Sequence, residues 1–398
     1  MKPEFYKKKL KNGLTVLFER RELPVVAVSA SVNMGSAFES EKNKGISHFM
    51  EHMMFKGTKT RSQQEIAREI EKKGGILNAY TSEEVTSYWN KLPSKHIASG
   101  INIASDLILN PKFDAAEFEK EKQVIIEEIK MYHDNPGRHV MDKIKEMLYE
   151  KPFGMSIAGT EQIIRGMTRQ EMVEMFKSVY TTDNMVLAVV GDADFDEICK
   201  LAEKIYPKAN RKILKHNPTR RNLEAVEKRK GIDQAHFAFG FHTPTLKDKQ
   251  KYIYEIAGAY LFGGMSSILF QEIRERRGLA YAVKGEFDLG VDYGYAMIYI
   301  GTMKEKIKEI KKIILKEIKN LKDLKQADFN ECKEQLIGEK KVGEEDSSSA
   351  MNMLMIEEFA GDAGNYYKYE EKINAVKLEE VKNISKLKSY STFSLIPK

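Results

Sequence analysis

Two of the chain's eight histidines fall in one pentad, His48-Phe49-Met50-Glu51-His52. On a helix, residues four apart share a face, so both imidazoles can donate to one metal ion. Glu51 stands one residue before the second histidine, on the adjoining side of that face. It can lie beside the ion's open position without ligating it. A carboxylate there can take a proton from a water whose pKa a bound ion has lowered toward ~7. Such a set of residues suits metal-assisted hydrolysis.

A catalytic zinc ion takes three protein ligands and keeps one position for solvent. Candidates for the third ligand lie on a predicted helix over 117–130, whose acidic residues include Glu121, Glu127 and Glu128. Glu121 and Glu128 are seven residues apart and share a face, two turns along. Glu127 points about 100° away from Glu128. One of the pair could ligate while the other holds a ligand histidine. Taken alone, such a helix is more often a solvated acidic surface, and spacing does not choose between the readings.

The elements that must position these residues follow from periodicity and punctuation. Residues 16–18 and 25–32 cluster β-branched residues as strands do. Helices are predicted over 45–56 and 62–73, the second closed by Gly74-Gly75, followed by strand over 77–92. Helical spacing recurs over 95–132 with a break at Asn110-Pro111, and 185–190 reads as a short buried strand. After 230 the order is similar: strand at 235–241, helices at 249–261 and 266–276, strands within 280–302, a Lys-rich helix at 307–324 and a closing strand near 393–396. The expected fold class is therefore α+β. It comprises two similar domains, each a mainly antiparallel sheet packed with helices, related by internal duplication. The expected division is an N-terminal domain 1–208, a basic linker 209–230 and a C-terminal domain 231–398. Between 207 and 230, nine basic residues stand against two acidic ones, with few large apolar groups, which suits an exposed segment.

Composition narrows the function classes. At 398 residues the chain is too long for one ordinary core, so two domains are the starting expectation. With 42% hydrophobic and 31% charged residues, a disordered or fibrous chain is excluded. The excess of 65 Lys and Arg over 59 Asp and Glu is too small to require a nucleic-acid or membrane partner, and neither is expected. The start, Met1-Lys2-Pro3-Glu4-Phe5, lacks the apolar core of a secretory signal, and no apolar run is long enough to span a membrane. Two cysteines, Cys199 and Cys332, cannot build a disulfide framework, so a cytoplasmic setting is expected.

Residues 45–58, Gly-Ile-Ser-His-Phe-Met-Glu-His-Met-Met-Phe-Lys-Gly-Thr, resemble the signature of the pitrilysin–insulinase family of inverted-motif zinc metallopeptidases. In that family a glutamate about 76 residues beyond the second histidine completes the site, and Glu128 stands at that distance from His52. The resemblance implies one Zn2+ per chain held by His48, His52 and Glu128, with Glu51 as catalytic base and Glu121 in support. A second likeness covers 262–281, where an Arg and a Tyr seven residues apart contact substrate. Arg274 and Tyr281 occupy those places. A guanidinium and a phenol suit that task, since both can donate to a carbonyl whose oxygen gains negative charge. Asn78 and Ala79 fall in a stretch similar to the family's edge strand beside the zinc, which an extended peptide can join through main-chain hydrogen bonds.

The likeness spans nearly the whole chain, and the length is that of the processing-peptidase branch. It implies a zinc endopeptidase for short or unfolded peptides. It also implies a homodimer, or a heterodimer with a related subunit, in which Arg274 and Tyr281 of one copy face the zinc site of the other. The alternative from the same family is a non-catalytic assembly subunit, whose metal motifs are usually broken; here they are intact.

Overall fold

A computed structural model describes residues 4–209 and 215–398. Residues 1–3, part of the start read above for a signal, and 210–214, within the expected linker, lie outside the described residues. Eleven strands form two sheets among the described residues. The first contains β1 (Glu4–Lys9), β2 (Thr15–Arg20), β3 (Val25–Val32), β4 (Ile76–Thr81), β5 (Thr86–Pro93) and β6 (Met185–Gly191) in the order β1-β2-β6-β3-β5-β4. The second contains β7 (Glu224–Arg229), β8 (Ala235–His242), β9 (Ala280–Leu289), β10 (Gly294–Thr302) and β11 (Ser391–Pro397) in the order β7-β11-β8-β10-β9. Without β1, the two orders are the same, and among the described residues the only parallel pair in each joins the first and last strands, β2 with β6 and β7 with β11. The architecture is α+β with an internally duplicated domain, as expected.

The stretch 77–92 divides into the hairpin β4–β5, whose tip spans 82–85. Two strands are additional to those read from the sequence, and both are edges. β1 and β7 are rich in Lys and Glu; β1 is largely exposed, and β7 alternates exposed and half-buried positions. Their main chains pair with a neighbour while charged side chains such as Lys8, Lys9 and Lys228 stay in solvent, a usual way of blunting an edge. Thus the last part of the expected linker, Glu224–Arg229, is a strand paired with β11.

The chain forms two compact units, and neither is contiguous in sequence. The first comprises Met1–Ile129, Ser156–His216 and Gly343–Tyr366, and the second comprises Lys130–Met155, Asn217–Val342 and Tyr367–Lys398. These units differ from the expected division at 208 and 231, and there is a physical reason. Central strands β3, β6 and β8 are buried at almost every position, so both faces of each sheet need cover. In the first unit α3 (Ile97–Leu109) packs on β3 and β5, while the late helix Ser347–Phe359 packs on β3 and β6. In the second unit the early helix Pro136–Leu148 packs on β8, β10 and β11. There Gly240 leaves room for it: an added Cβ would stand 2.9 Å from Ile144 and from Leu148.

Candidate functional site

The histidine pentad lies on α1 (Ile46–Met54), as predicted. The helix starts at Gly45, whose φ is 98°, and a Cβ there would come within 2.6 Å of the Ala158 carbonyl oxygen. Glycine is therefore needed at this entry. The apolar side of α1 (Ile46, Phe49, Met50 and Met53) is fully buried in the first unit's core. Phe49 stacks on Phe118 of α4 (Ala115–Asp134), with ring centroids 4.5 Å apart, which holds the two helices side by side. The remaining side of α1 carries His48, Glu51 and His52 toward α4 and β4.

His52 Nε2 is 3.3 Å and His48 Nε2 3.7 Å from the same oxygen, Glu128 Oε2. One donor atom from each of the three residues lies within 4.8 Å of the others. Two imidazole nitrogens and one carboxylate oxygen are a donor set that suits zinc. Burial, and then the neighbouring His52, push His48 down to about 4, so its ring is neutral and its lone pair is available near neutral pH. Its Nδ1 is buried without a hydrogen-bond partner. His52 differs. Burial opposes its charged form, but the carboxylates of Glu121 and Glu128 outweigh that and lift it to about 9.

Glu121 sits 2.8 Å from His52 Nδ1 through Oε1 and 2.7 Å from Lys56 Nζ through Oε2. It is 3% exposed. Burial disfavours its charged form, yet His52 and Lys56 hold its pKa below the usual carboxylate value. With Nδ1 engaged by Glu121, His52 turns Nε2 toward Glu128, the orientation a ligating histidine needs. Glu127 is exposed on another side of α4. Glu121→Gln is expected to weaken zinc binding by ~10–100-fold, the usual effect of losing an outer partner of a ligand. Competition with a chromogenic chelator would measure it.

The raised pKa of His52 makes both stability and metal uptake depend on pH. In the metal-free chain, the charged ring stabilises the fold fully below its ordinary value of 6.5, and this contribution is lost as pH rises through about 9. An ion arriving at neutral pH must displace the Nε2 proton. Zinc uptake at pH 7 is therefore expected to release about one proton from this site, falling toward none well above pH 9. Calorimetry in buffers of different ionisation enthalpy reads that number directly.

Glu51 accepts a hydrogen bond from the Thr81 hydroxyl at the end of β4. Burial raises its pKa above the ordinary glutamate value, against the pull of Thr81 and His52. β4 is an edge strand, paired only with β5 among the described residues. Asn78 is exposed there, Ala79 is half-buried, and the Asn78 Oδ1 accepts the Ala79 N–H at 2.8 Å.

Arg274 and Tyr281 belong to the second unit. The predicted helix over 266–276 is in fact one α-turn, Ile268–Phe270, followed by a π-turn, Gln271–Glu275. Such a turn inserts a residue and re-aims the side chains beyond it. The Arg274 guanidinium lies over the Phe270 ring, 4.9 Å from its centroid. Tyr281, at the start of β9, is 48% exposed, and its ring lies over Gly301, where a Cβ would come within 2.3 Å of it.

The second unit also holds a group of metal-capable residues, His133, His139 and Glu227. There Arg229 already supplies a positive charge, with Nη2 3.1 Å from His133 Nε2 and 2.8 Å from Glu227 Oε1. The group reads as an ion-pair network. Thr81 and Lys56 were not singled out in the sequence. A hydroxyl at a strand end and a lysine beyond a helix carry no signal of their own until packing brings carboxylates to them.

Comparison with known proteins gives the chain's relatives. Residues 15–161 match the family model described as Insulinase (Peptidase family M16), and residues 166–336 match the one described as Peptidase M16 inactive domain. An uncharacterized zinc protease of Rickettsia felis is 35% identical over 327 residues, covering 80% of this chain and 78% of that protein. One of Bacillus subtilis is 31% identical over 384 residues, covering 94% of this chain and 93% of that protein. The chain belongs to the insulinase family of peptidases. The crystal structure of a protease from Helicobacter pylori shares the fold, with a TM-score of 0.91 at 22% identity over 99% of this chain and 100% of that one. No helix among the described residues is long and apolar enough to cross a membrane.

Proposed function

We propose that this chain is a zinc-dependent endopeptidase for short or unfolded peptides. The observation that carries the reading is the convergence of His48, His52 and Glu128 on one point, with Glu51 on the adjoining side of the same helix. The relatives named zinc proteases support it. His48, His52 and Glu128 would hold one zinc ion, which when bound polarises a scissile carbonyl and acidifies a water.

The chain's own residues do the rest. Glu51 takes a proton from the attacking water and later passes it to the leaving amine. Burial raises its pKa above the ordinary glutamate value, the direction that makes a carboxylate a better proton acceptor. Thr81 steadies its carboxylate, and Glu121 steadies the ring of His52. The open edge of β4, at Asn78 and Ala79, accepts an extended peptide through main-chain hydrogen bonds, which tolerates varied sequences. Arg274 and Tyr281 hydrogen-bond the substrate and the charge developing on its carbonyl oxygen. They do so from a second copy of the chain or from a related subunit. A reducing, cytoplasmic setting is in keeping with Cys199 and Cys332, both free and buried.

The test is hydrolysis of internally quenched peptides by the purified chain, with metal quantified, before and after chelation. Cleavage that is lost on chelation and restored by zinc is expected. A zinc-loaded chain that cleaves nothing, alone or with a related subunit, would overturn the reading in favour of a non-catalytic assembly subunit.

A further inference from the structure

A buried ion pair that no step of the reaction uses lies just ahead of α1. Glu39 and Lys44 have side chains with no solvent exposure, and their charged atoms are 3.8 Å apart. Replacing such a pair by apolar residues is often neutral or stabilising, so its presence calls for a specific task. The hydrogen bonds around it identify one. Glu39 accepts the backbone N–H of Gly45 at 2.9 Å on Oε2 and that of Ser47 at 2.7 Å on Oε1. Those amides open α1, immediately ahead of His48. Lys44 donates to the Ser36 carbonyl at 2.6 Å.

The segment that holds that carbonyl is itself fastened to the tip of the β4–β5 hairpin. Ser36 N–H donates to the Ser82 carbonyl at 3.1 Å, and Ala37 N–H to that of Glu83 at 2.7 Å. Gly35 permits this approach, since a Cβ there would stand 2.4 Å from the Ser82 oxygen. One residue before Ser82 is Thr81, whose hydroxyl is bonded to Glu51. The two partners of that bond are on different elements, and both elements are tied to the same buried pair.

We infer that Glu39 and Lys44 are positioning residues, a brace that keeps α1 and the hairpin in register so that Thr81 holds Glu51 in its working orientation. The inference rests on the reading of Glu51 as the base. Neither member of the pair touches substrate or metal. A carboxylate is required at 39 because two helix amides bond its two oxygens. An amide offers one oxygen to the same two donors and turns an N–H₂ toward the other.

The experiment is a kinetic double-mutant cycle on the zinc-loaded full chain. Glu39→Gln and Thr81→Val are each expected to lower kcat by ~10-fold or more, with KM changed by less than about two-fold and zinc content unchanged. The double variant is expected to be little slower than the worse single one, because both changes loosen the same bond. Gly35→Ala serves if Glu39→Gln does not fold. It pushes the hairpin tip away from the segment ahead of α1 with no change of charge, and the same coupling with Thr81→Val is expected. Multiplicative losses in kcat, or a loss of thermal stability with kcat intact, would overturn the inference. If Glu51→Gln itself keeps full activity, the reading of the base fails. If Glu51→Gln is inactive and the cycle shows no coupling, only the brace fails.

Discussion

Glu51→Gln is expected to keep zinc at one ion per chain while peptide hydrolysis falls by ~10²–10⁴-fold, the range associated with losing a general base. The amide fills the same volume and can still meet the Thr81 hydroxyl with its carbonyl oxygen, so neither α1 nor β4 needs to move. It cannot accept a proton from water. The three donors that would hold the ion are untouched, since His48, His52 and Glu128 meet without Glu51. Metal analysis together with single-turnover kinetics separates the two effects. Substantial turnover by the zinc-loaded variant would remove Glu51 from its role.

The second large effect is expected at Glu128. Glu128→Ala removes the oxygen on which both imidazoles converge and leaves two nitrogen donors. Zinc affinity should fall by more than the ~10–100-fold expected for an outer partner such as Glu121, and hydrolysis should fall with it. Glu127→Ala is the matched control: one residue away, exposed, and expected to retain both zinc and activity. Equilibrium dialysis at fixed free zinc compares the three variants directly. Equal zinc retention by Glu127→Ala and Glu128→Ala would refute the assignment.

That contrast also marks where the sequence stopped being informative. The pair His48 and His52 is legible because four residues along a helix return to one face whatever the surroundings. Spacing could say that Glu121 and Glu128 share a face of α4 and that Glu127 points elsewhere. It could not say which of the two meets Nε2 and which meets Nδ1 of His52. That choice depends on how α1 lies along α4, fixed by contacts such as Phe49 on Phe118. The resemblance to a family supplied the order that periodicity alone left open.

The fold was legible in the same uneven way. The continuous apolar runs of β3 and β6 announced buried strands, and the repeated order of elements announced duplication. They did not reveal which helices would cover the second face of each sheet. Pro136–Leu148 and Ser347–Phe359 are covers of that kind, each lodged in the unit that holds little of its neighbouring sequence. A strand buried on both faces requires two layers of helices, and that requirement could have been drawn from the letters of β6. Which distant helix meets it could not. β1 and β7 were missed because backbone pairing at an edge places little demand on side chains. Glu39, Lys44, Lys56 and Thr81 were missed because their roles consist entirely of tertiary partners.

The most direct measurement is zinc K-edge X-ray absorption on the chain loaded with one equivalent of zinc, alongside His52→Ala and Glu128→Ala. The wild type should show only nitrogen and oxygen neighbours at ~2.0–2.2 Å, with the multiple-scattering pattern of two imidazoles. That pattern should weaken in whatever zinc His52→Ala retains, and the first shell should change in Glu128→Ala. A sulfur neighbour at ~2.3 Å, or a spectrum unaltered by both substitutions, would mean that the ion sits elsewhere and that this centre is not the site of hydrolysis.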